Sequence, residues 1–331
     1  MTAFGLLGVV LEGAALAALL SLVASVVALG LPRLARRTSP EARADLAFVG
    51  AFLPLAIVAI TLAAALAPSL FAALGDATAD HCPEHLHHPH LCVVHFAGMR
   101  PAAALLGAAV LALFALRVID GLLRWHRTAA DLRALERLGA VEASGGFPLV
   151  LVPGPARLCH AVGLRRRRVV TSRQLVDALA PEVWRAVHAH EEEHLRRRDP
   201  LAAILVEAAL WFATPGLAGM LARAFRRNAE GACDRAAASA VGDGARAASA
   251  LIEVARQLAR GPRPASAGQL GAAELDLEAR VRALLAHGAV PPQRPRAFLT
   301  TSLLVTTLAI AALSVSDELH HALETLLFHL L

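Results

Sequence analysis

Two histidines four residues apart, with an acidic residue directly after the first, form the most specific chemical motif of this chain: His190, Glu191 and His194. Residues four apart share one face of a helix, so both imidazoles can bind the same ion. Zinc lowers the pKa of a water to about 7, and a neighbouring carboxylate can then accept its proton. The spacing predicts a zinc site with Glu191 as the base. The alternative is a charged, solvated helix face.

A catalytic zinc ion takes a third protein ligand and keeps one position open. Glu230 can supply that ligand, in the string Glu-Gly-Ala-Cys-Asp that ends at Asp234. Asp234 lies one helical turn after Glu230, where it can accept a hydrogen bond from a ligand histidine and fix its tautomer. We therefore predict one catalytic Zn²⁺ bound by His190, His194 and Glu230, with Asp234 as their outer partner.

The elements that carry these residues are marked by proline. Pro181 predicts a helix over 181–198, and Thr214-Pro215 predicts a helix from 215 to about 241. Between them, Asp199 is expected to be the N-cap of a helix over 200–213. Two further helices are predicted over 245–260 and 273–286. Short β-branched runs predict strands over 147–152 and 168–171.

The rest of the chain is dominated by apolar blocks, with 56% hydrophobic and 18% charged residues. About 20 apolar residues cross a bilayer core of about 30 Å. Four segments qualify, namely 4–31, 46–75, 101–123 and 297–316. We therefore predict a mainly α membrane protein with four transmembrane helices. An α+β region over 124–296 is inserted between spans three and four, and a tail over 317–331 follows.

The arginine distribution predicts the orientation of these spans. Basic residues follow the first span and precede the fourth, whereas Asp317 and Glu318 come after the fourth. The basic residues are Arg33, Arg36, Arg37, Arg43, Arg294 and Arg296. The positive-inside rule places region 124–296 in the cytoplasm and both termini outside.

The loop over 76–96 is then external, and it is rich in histidine and cysteine. Its cysteines are Cys82 and Cys92, and its histidines are His81, His85, His87, His88, His90 and His95. In an oxidising compartment a disulfide is the default for such a pair. Dense imidazoles can instead bind copper or zinc, with or without the thiolates. Both interpretations stay open.

The stretch 190–234 resembles the zinc-peptidase domain of the BlaR/MecR-type membrane antirepressors. The shared elements are the His-Glu-x-x-His string, Asp199-Pro200, Trp211-Phe212, Pro215 and the Glu-x-x-Cys-Asp string. The resemblance covers about residues 100–290 and the four-span topology. The more distant HtpX-like membrane proteases share the zinc string and the Glu-x-x-x-Asp. The resemblance implies an α+β zincin-type metallopeptidase domain of the gluzincin type.

It also implies a function. A membrane-embedded zinc endopeptidase would cleave a cytoplasmic protein, with a DNA-binding transcriptional repressor as the expected partner. A housekeeping quality-control protease for membrane proteins is the second possibility, and a non-catalytic zinc-binding receptor is the third. The presence of Glu191 speaks against the third. The receptor members of the family carry an external penicillin-binding domain after the last span, whereas only 317–331 follow here, so we do not expect β-lactam sensing by that route.

Two further features have weaker patterns. His160 precedes a possible edge strand and is a candidate for stabilising the oxyanion, since the chain contains no tyrosine. The arginine runs 165–168 and 196–198 have no interleaved aromatic residues, which nucleic-acid grooves use for stacking. We expect these runs to contact anionic membrane lipid, and we expect no direct nucleic-acid binding.

Overall fold

The computed structural model describes residues 3–34, 38–74, 101–142, 146–154, 157–260 and 277–287, with four isolated positions beyond them. These residues are mainly helical and include one small sheet. The loop over 76–96, with its cysteines and histidines, lies outside the described residues. So do the predicted fourth span and the tail, apart from the isolated positions.

Within the part of the chain that the structure describes, three helices are long and apolar enough to cross a membrane. They are α1 (Ala3–Leu34), α2 (Pro40–Ala73) and α3 (Pro101–Leu138). Their apolar segments are Leu7–Leu31, Pro40–Ala64 and Pro101–Ala134. The prediction of apolar helices in this part of the chain is confirmed.

Two of the helices extend beyond the predicted apolar segments. The second helix begins at Pro40 and not at residue 46, because proline suits the first helical position and Ser39 caps the helix end by accepting from the Ala42 N–H at 3.3 Å. The third helix continues without a break to Leu138. The expected domain boundary at 123/124 therefore lies inside a helix.

Helices α1 and α3 approach each other closely at Gly107. A Cβ atom on this residue would overlap the Leu11 backbone, so only glycine fits. Small residues are typical of close helix contacts in membranes, where apolar burial alone gives little driving force. On their outer sides α1 and α3 keep large apolar residues exposed, among them Val23, Val26 and Leu116.

The sheet has four strands in the order β1-β2-β4-β3. These are β1 (Ala140–Glu142), β2 (Leu149–Val152), β3 (Cys159–Val162) and β4 (Arg168–Ser172). The β2–β4 pair is parallel, and the β1–β2 and β3–β4 pairs are antiparallel. Strand β3 is thus at an edge. The sequence predicted β2 and β4, but not the short strands β1 and β3.

Among the described residues, six α-helices follow the sheet. They are α4 (Arg173–Ala178), α5 (Pro181–Arg197), α6 (Asp199–Ala209), α7 (Pro215–Val241), α8 (Gly244–Arg260) and α9 (Leu277–His287). A 3₁₀ turn, Leu210–Phe212, follows α6 in the connection to α7. The predicted N-cap at Asp199 is wrong. Arg198 takes that position with a left-handed φ of 59°, and this sharp turn frees the Asp199 side chain to face α5.

Two apolar cores position the helices. One packs α5 against the sheet through Leu195, Val169 and Cys159. The other packs α6 and α7 against α1 and α2, with the Phe48 and Phe225 ring centroids 6.1 Å apart. Helix α7 contacts the apolar helices and also α5, so it connects the two cores.

Candidate metal centre

Helix α5 presents its two histidines on the side that faces α7. The α5–α7 contact is built from small residues, with Ala186 packed against Ala237, so the helices can approach closely. His190 and His194 lie one turn apart at this contact, and their side chains are only 14% and 15% exposed. Glu230 reaches them from α7 and is 34% exposed, which leaves one side of the cluster open to small molecules.

The separations between the three side chains fit a tetrahedral ion. The two Nε2 atoms are 3.2 Å apart, and Glu230 oxygens lie 3.4 Å from His190 Nε2 and 3.5 Å from His194 Nε2. Ligands about 2.0–2.1 Å from a tetrahedral zinc are about 3.3 Å from one another. The two imidazoles and the carboxylate therefore form a donor set of the size and chemistry that zinc takes.

Each histidine has an acidic partner on its outer nitrogen. His190 Nδ1 lies 3.2 Å from Asp234 Oδ1, and His194 Nδ1 lies 2.8 Å from Asp199 Oδ2. Such partners fix the ring orientation and direct Nε2 towards the metal. The structure thus places Asp234 beside His190. Asp199 has the same relation to the other histidine, which the sequence did not suggest.

An arginine from α9 braces the carboxylates of α7. Arg280 donates to both oxygens of Asp234, from Nε at 2.8 Å and from Nη2 at 2.6 Å, and its Nη1 lies 3.0 Å from Glu230 Oε2. This bidentate contact is geometrically specific. It holds Glu230 and Asp234 in place through oxygens that also approach His190.

The charged groups of the cluster shift one another's pKa values. Burial lowers the pKa of His190, but the hydrogen bonds with Asp234 and Glu230 outweigh it and raise that pKa to about 10. Burial raises the pKa of Glu230, but the hydrogen bond from His190 and the charges of His194 and Arg280 hold it well below its usual range. The carboxylates thus stabilise positive charge between the histidines, which also suits a divalent cation.

Glu191 lies on the sheet side of α5. Its Oε2 accepts a hydrogen bond from the Ala161 N–H of β3 at 2.7 Å. The bond fixes the carboxylate between its neighbour His190 and the edge strand. This is a suitable position for a base that serves a chain bound along β3.

His160 lies within β3, but the structure does not bring it to the cluster. Side chains alternate along a strand. Cys159 and Ala161 pack on the face that α5 covers, whereas Val162 packs with Val150 on the opposite face. His160 shares the parity of Val162, so it projects away from α5. This placement speaks against the oxyanion role.

A chain of ion pairs runs from α2 to the cluster. Arg197 Nε lies 3.4 Å from Asp199 Oδ1, and its Nη2 lies 4.0 Å from Asp45 Oδ1 of α2. The Arg197 side chain is only 3% exposed. The expectation that the run 196–198 forms a lipid-facing patch is therefore wrong for Arg197, which is used inside the protein.

Three residues of the centre were not identified from the sequence, namely Asp199, Arg197 and Arg280. Asp199 looked like a helix cap because it precedes Pro200. Arg280 is separated from Asp234 by 46 residues, and no local pattern joins them. The sequence indicated only that Arg280 lies one turn after Leu277 on a predicted helix, which does not identify its partner.

Together the fold and the site define a mainly helical protein with three candidate membrane-spanning helices, a small sheet and a His₂Glu cluster. No protein-family model, curated protein or solved structure matches the chain. The geometry of the site is therefore the basis for assigning a function.

Proposed function

We propose that this protein is a membrane-embedded zinc-dependent endopeptidase. The observation that carries the proposal is the tetrahedral spacing of His190, His194 and Glu230. A purely structural zinc site is closed by four protein ligands. The His₂Glu set leaves one position for water, and Glu191, next to His190 in sequence and held by the Ala161 N–H, can serve as the base. These two points favour an enzyme over a non-catalytic receptor.

Each residue then has a distinct task. Bound zinc supplies a Lewis acid that polarises water and a carbonyl group. Glu191 accepts the proton of the attacking water and delivers it to the leaving amine. Asp199 and Asp234 keep the two histidines in the tautomer that directs Nε2 inwards. Arg280 holds Glu230 and Asp234 in position.

Strand β3 provides a place for an extended substrate. It is at the edge of the sheet, and the outward direction of the Ala161 N–H is shown by its bond to Glu191 rather than to β4. Edge strands bind extended peptides through backbone hydrogen bonds. A polypeptide paired with β3 would pass directly beside Glu191, which favours a protein substrate over a small amide.

The centre lies next to the beginning of α2. Gly231 contacts Pro40, with the Pro40 Cβ 3.6 Å from the position a Gly231 Cβ would take, and Arg235 lies 3.4 Å from Glu41. We propose that this end of α2 faces the cytoplasm, because of the arginines around it. The substrate is then a cytoplasmic protein, and the resemblance to the antirepressors favours a DNA-binding repressor. A quality-control protease for membrane proteins is the alternative, since the centre is close to the apolar helices.

Proteolysis can be tested by mapping protein N-termini in cells that express the full chain. We expect new N-termini in cytoplasmic proteins or segments, because an endopeptidase creates one at each cut. In isolated membranes, a zinc chelator should stop their formation and added Zn²⁺ should restore it. A set of N-termini that is identical with and without the chain would contradict the proposal. New N-termini confined to membrane proteins would favour quality control over repressor cleavage.

Orientation can be tested with a reporter inserted at either of two sites. At Asp243, between α7 and α8, the reporter should behave as cytoplasmic, and a reporter in the loop 76–96 should behave as external. The physical reason is the arginine bias on the two sides of the apolar segments. The reverse labelling would place the metal centre outside the cell and would exclude a cytoplasmic repressor as substrate.

A further inference from the structure

The backbone between α6 and α7 is irregular. Helix α6 ends at Ala209, one 3₁₀ turn follows, Ala213 and Thr214 are extended, and Pro215 begins α7. A break of this kind leaves carbonyl oxygens without helical partners. In hydrocarbon such groups cannot turn to water, so irregular backbone at membrane depth must be satisfied by the protein itself.

Side chains from α1 and α3 provide hydrogen-bond partners for the backbone groups at this break. Arg117 of α3 donates to the carbonyls of Leu210, Trp211 and Ala213, from 2.6 to 3.1 Å. From α1, the Ser21 hydroxyl donates to the Phe212 carbonyl at 2.6 Å, and Ser25 Oγ accepts from the Thr214 N–H at 3.3 Å. Four consecutive carbonyls, 210 to 213, thus bond to groups on the apolar helices.

The residues that make these bonds lie deep within the apolar segments. Ser21 lies ten residues before the end of Leu7–Leu31, which at about 1.5 Å per residue is about 15 Å inside. Arg117 lies six residues before the end of the predicted span 101–123, about 9 Å inside. The tip of the α6–α7 hairpin therefore reaches about 9 to 15 Å into a hydrocarbon core of about 30 Å.

The two arms of the hairpin have an inner and an outer face. On the inner face, Val206, Leu221 and Phe225 pack against Phe48 and other residues of α1 and α2. The tip itself fits closely, because a Cβ on Gly121 of α3 would lie 2.8 Å from the Trp211 ring.

On the outer face, Leu205 of α6 and Met220 of α7 are 41% and 38% exposed. Large apolar side chains of α1 and α3, such as Val26 and Leu122, are exposed as well. Glu207, also on α6, accepts a hydrogen bond from Arg124 of α3 at 3.1 Å.

We propose that the segment 200–225 is a re-entrant hairpin. It enters the bilayer from the side of the metal centre, places Leu205 and Met220 against lipid acyl chains, and returns to the same side. Arg117 is the positioning residue, because it donates hydrogen bonds to the carbonyls at the irregular tip. The inference rests on α1–α3 spanning a membrane and is independent of zinc and of proteolysis. It also means that Asp199 and Glu230, at the open ends of the two arms, are held by an element anchored in lipid.

The hairpin can be tested by collision accessibility of spin labels in the full chain, reconstituted in phospholipid nanodiscs. Single cysteines at Leu205 and Met220 would be labelled in a chain whose four native cysteines are replaced by alanine. Val26 is the lipid-facing control and Ala245, exposed on α8, is the water-facing control. We expect Leu205 and Met220 to match Val26, with frequent oxygen collisions and loss of collisions with a water-soluble nickel chelate.

Three results would overturn the inference. Nickel collisions at Leu205 and Met220 as frequent as at Ala245 would place the hairpin in water. Rare collisions with both reagents would show that protein covers this face. Nickel collisions at Val26 as frequent as at Ala245 would show that α1 itself is outside lipid, so the failure would then belong to the membrane assignment.

The role of Arg117 is tested by Arg117→Leu, with Arg133→Leu as its control further along α3. Leucine keeps the apolar character of the site but removes the donors to three carbonyls. We expect nickel collisions at Leu205 and Met220 to rise towards the value at Ala245 in Arg117→Leu, because the unsatisfied tip draws in water. Arg133 is exposed and donates to the Ala129 carbonyl of its own helix, so its loss should leave both sites protected. Continued protection in Arg117→Leu would remove Arg117 from the proposal, and if that variant fails to assemble, the labels in the parent chain still decide whether the hairpin enters lipid.

Discussion

Replacing Glu191 by glutamine is expected to lower the rate of peptide-bond hydrolysis by about 10² to 10⁴-fold, the usual contribution of a general base, while zinc content stays unchanged. The amide cannot accept a proton, but it has the size of the carboxylate. Its oxygen can still accept the Ala161 N–H bond that holds the side chain at 2.7 Å. The metal ligands His190, His194 and Glu230 are untouched. The substitution thus separates chemistry from metal binding.

The measurement uses the full chain in nanodiscs, with cleavage of an unfolded protein followed alongside zinc content by mass spectrometry. Glu182→Gln is the matched control, since Glu182 is an exposed residue in the first turn of the same helix. It should retain full activity and zinc. If Glu191→Gln cleaves as fast as the parent chain, Glu191 is not the base and the proposed mechanism fails. If it loses zinc, Glu191 has a structural role instead.

The ligand set is the part of the site that the sequence could predict. Spacing of four on one helix is a local property, so His190 and His194 could be placed on a common face without knowing the fold. Glu230 and Asp234 followed from the same rule on α7. The chemistry of these residue types then limited the metal. None of these steps needed the packing of α5 against α7.

The outer partners could not be predicted, because they depend on tertiary geometry. Asp199 precedes a proline, a pattern that favours an N-cap. The left-handed conformation of Arg198 shifts the cap by one residue and directs Asp199 towards His194. Arg280 reaches Asp234 only because α9 packs against α7 and α8. His160 is the opposite case, because the sequence suggested a role that the fold does not favour. The register of β3 in the sheet decides on which face His160 lies, and the sequence did not give that register.

The apolar architecture was also only partly predictable. A search for about 20 apolar residues detects helices that cross the whole bilayer, and it found α1, α2 and α3. Each arm of the α6–α7 hairpin needs only about half that length, and α6 has 11 residues. The proposal that it enters the membrane rests on the contacts that Ser21, Ser25 and Arg117 make with its tip, and these depend on the tertiary fold.

Graded loss of zinc is the second large effect that we expect. Glu230→Ala removes one of three ligands and should leave the purified chain without stoichiometric zinc, because two imidazoles alone do not hold the ion against a chelator. Asp199→Asn leaves all three ligands in place. It removes only the charge that orients His194 across 2.8 Å. Loss of such an outer partner typically lowers metal affinity about 10 to 100-fold.

Competition with a chromophoric zinc chelator can rank the parent chain, Asp199→Asn and Glu230→Ala. The control is Asp177→Asn, since Asp177 is an exposed aspartate on α4, and it should bind zinc like the parent chain. Equal affinity of Asp199→Asn and the parent chain would mean that the His194–Asp199 bond does not set the ligand geometry. Zinc retained by Glu230→Ala would exclude Glu230 as third ligand. The order parent, Asp199→Asn, Glu230→Ala is expected because an outer hydrogen bond only positions a ligand, whereas a direct ligand binds the metal itself.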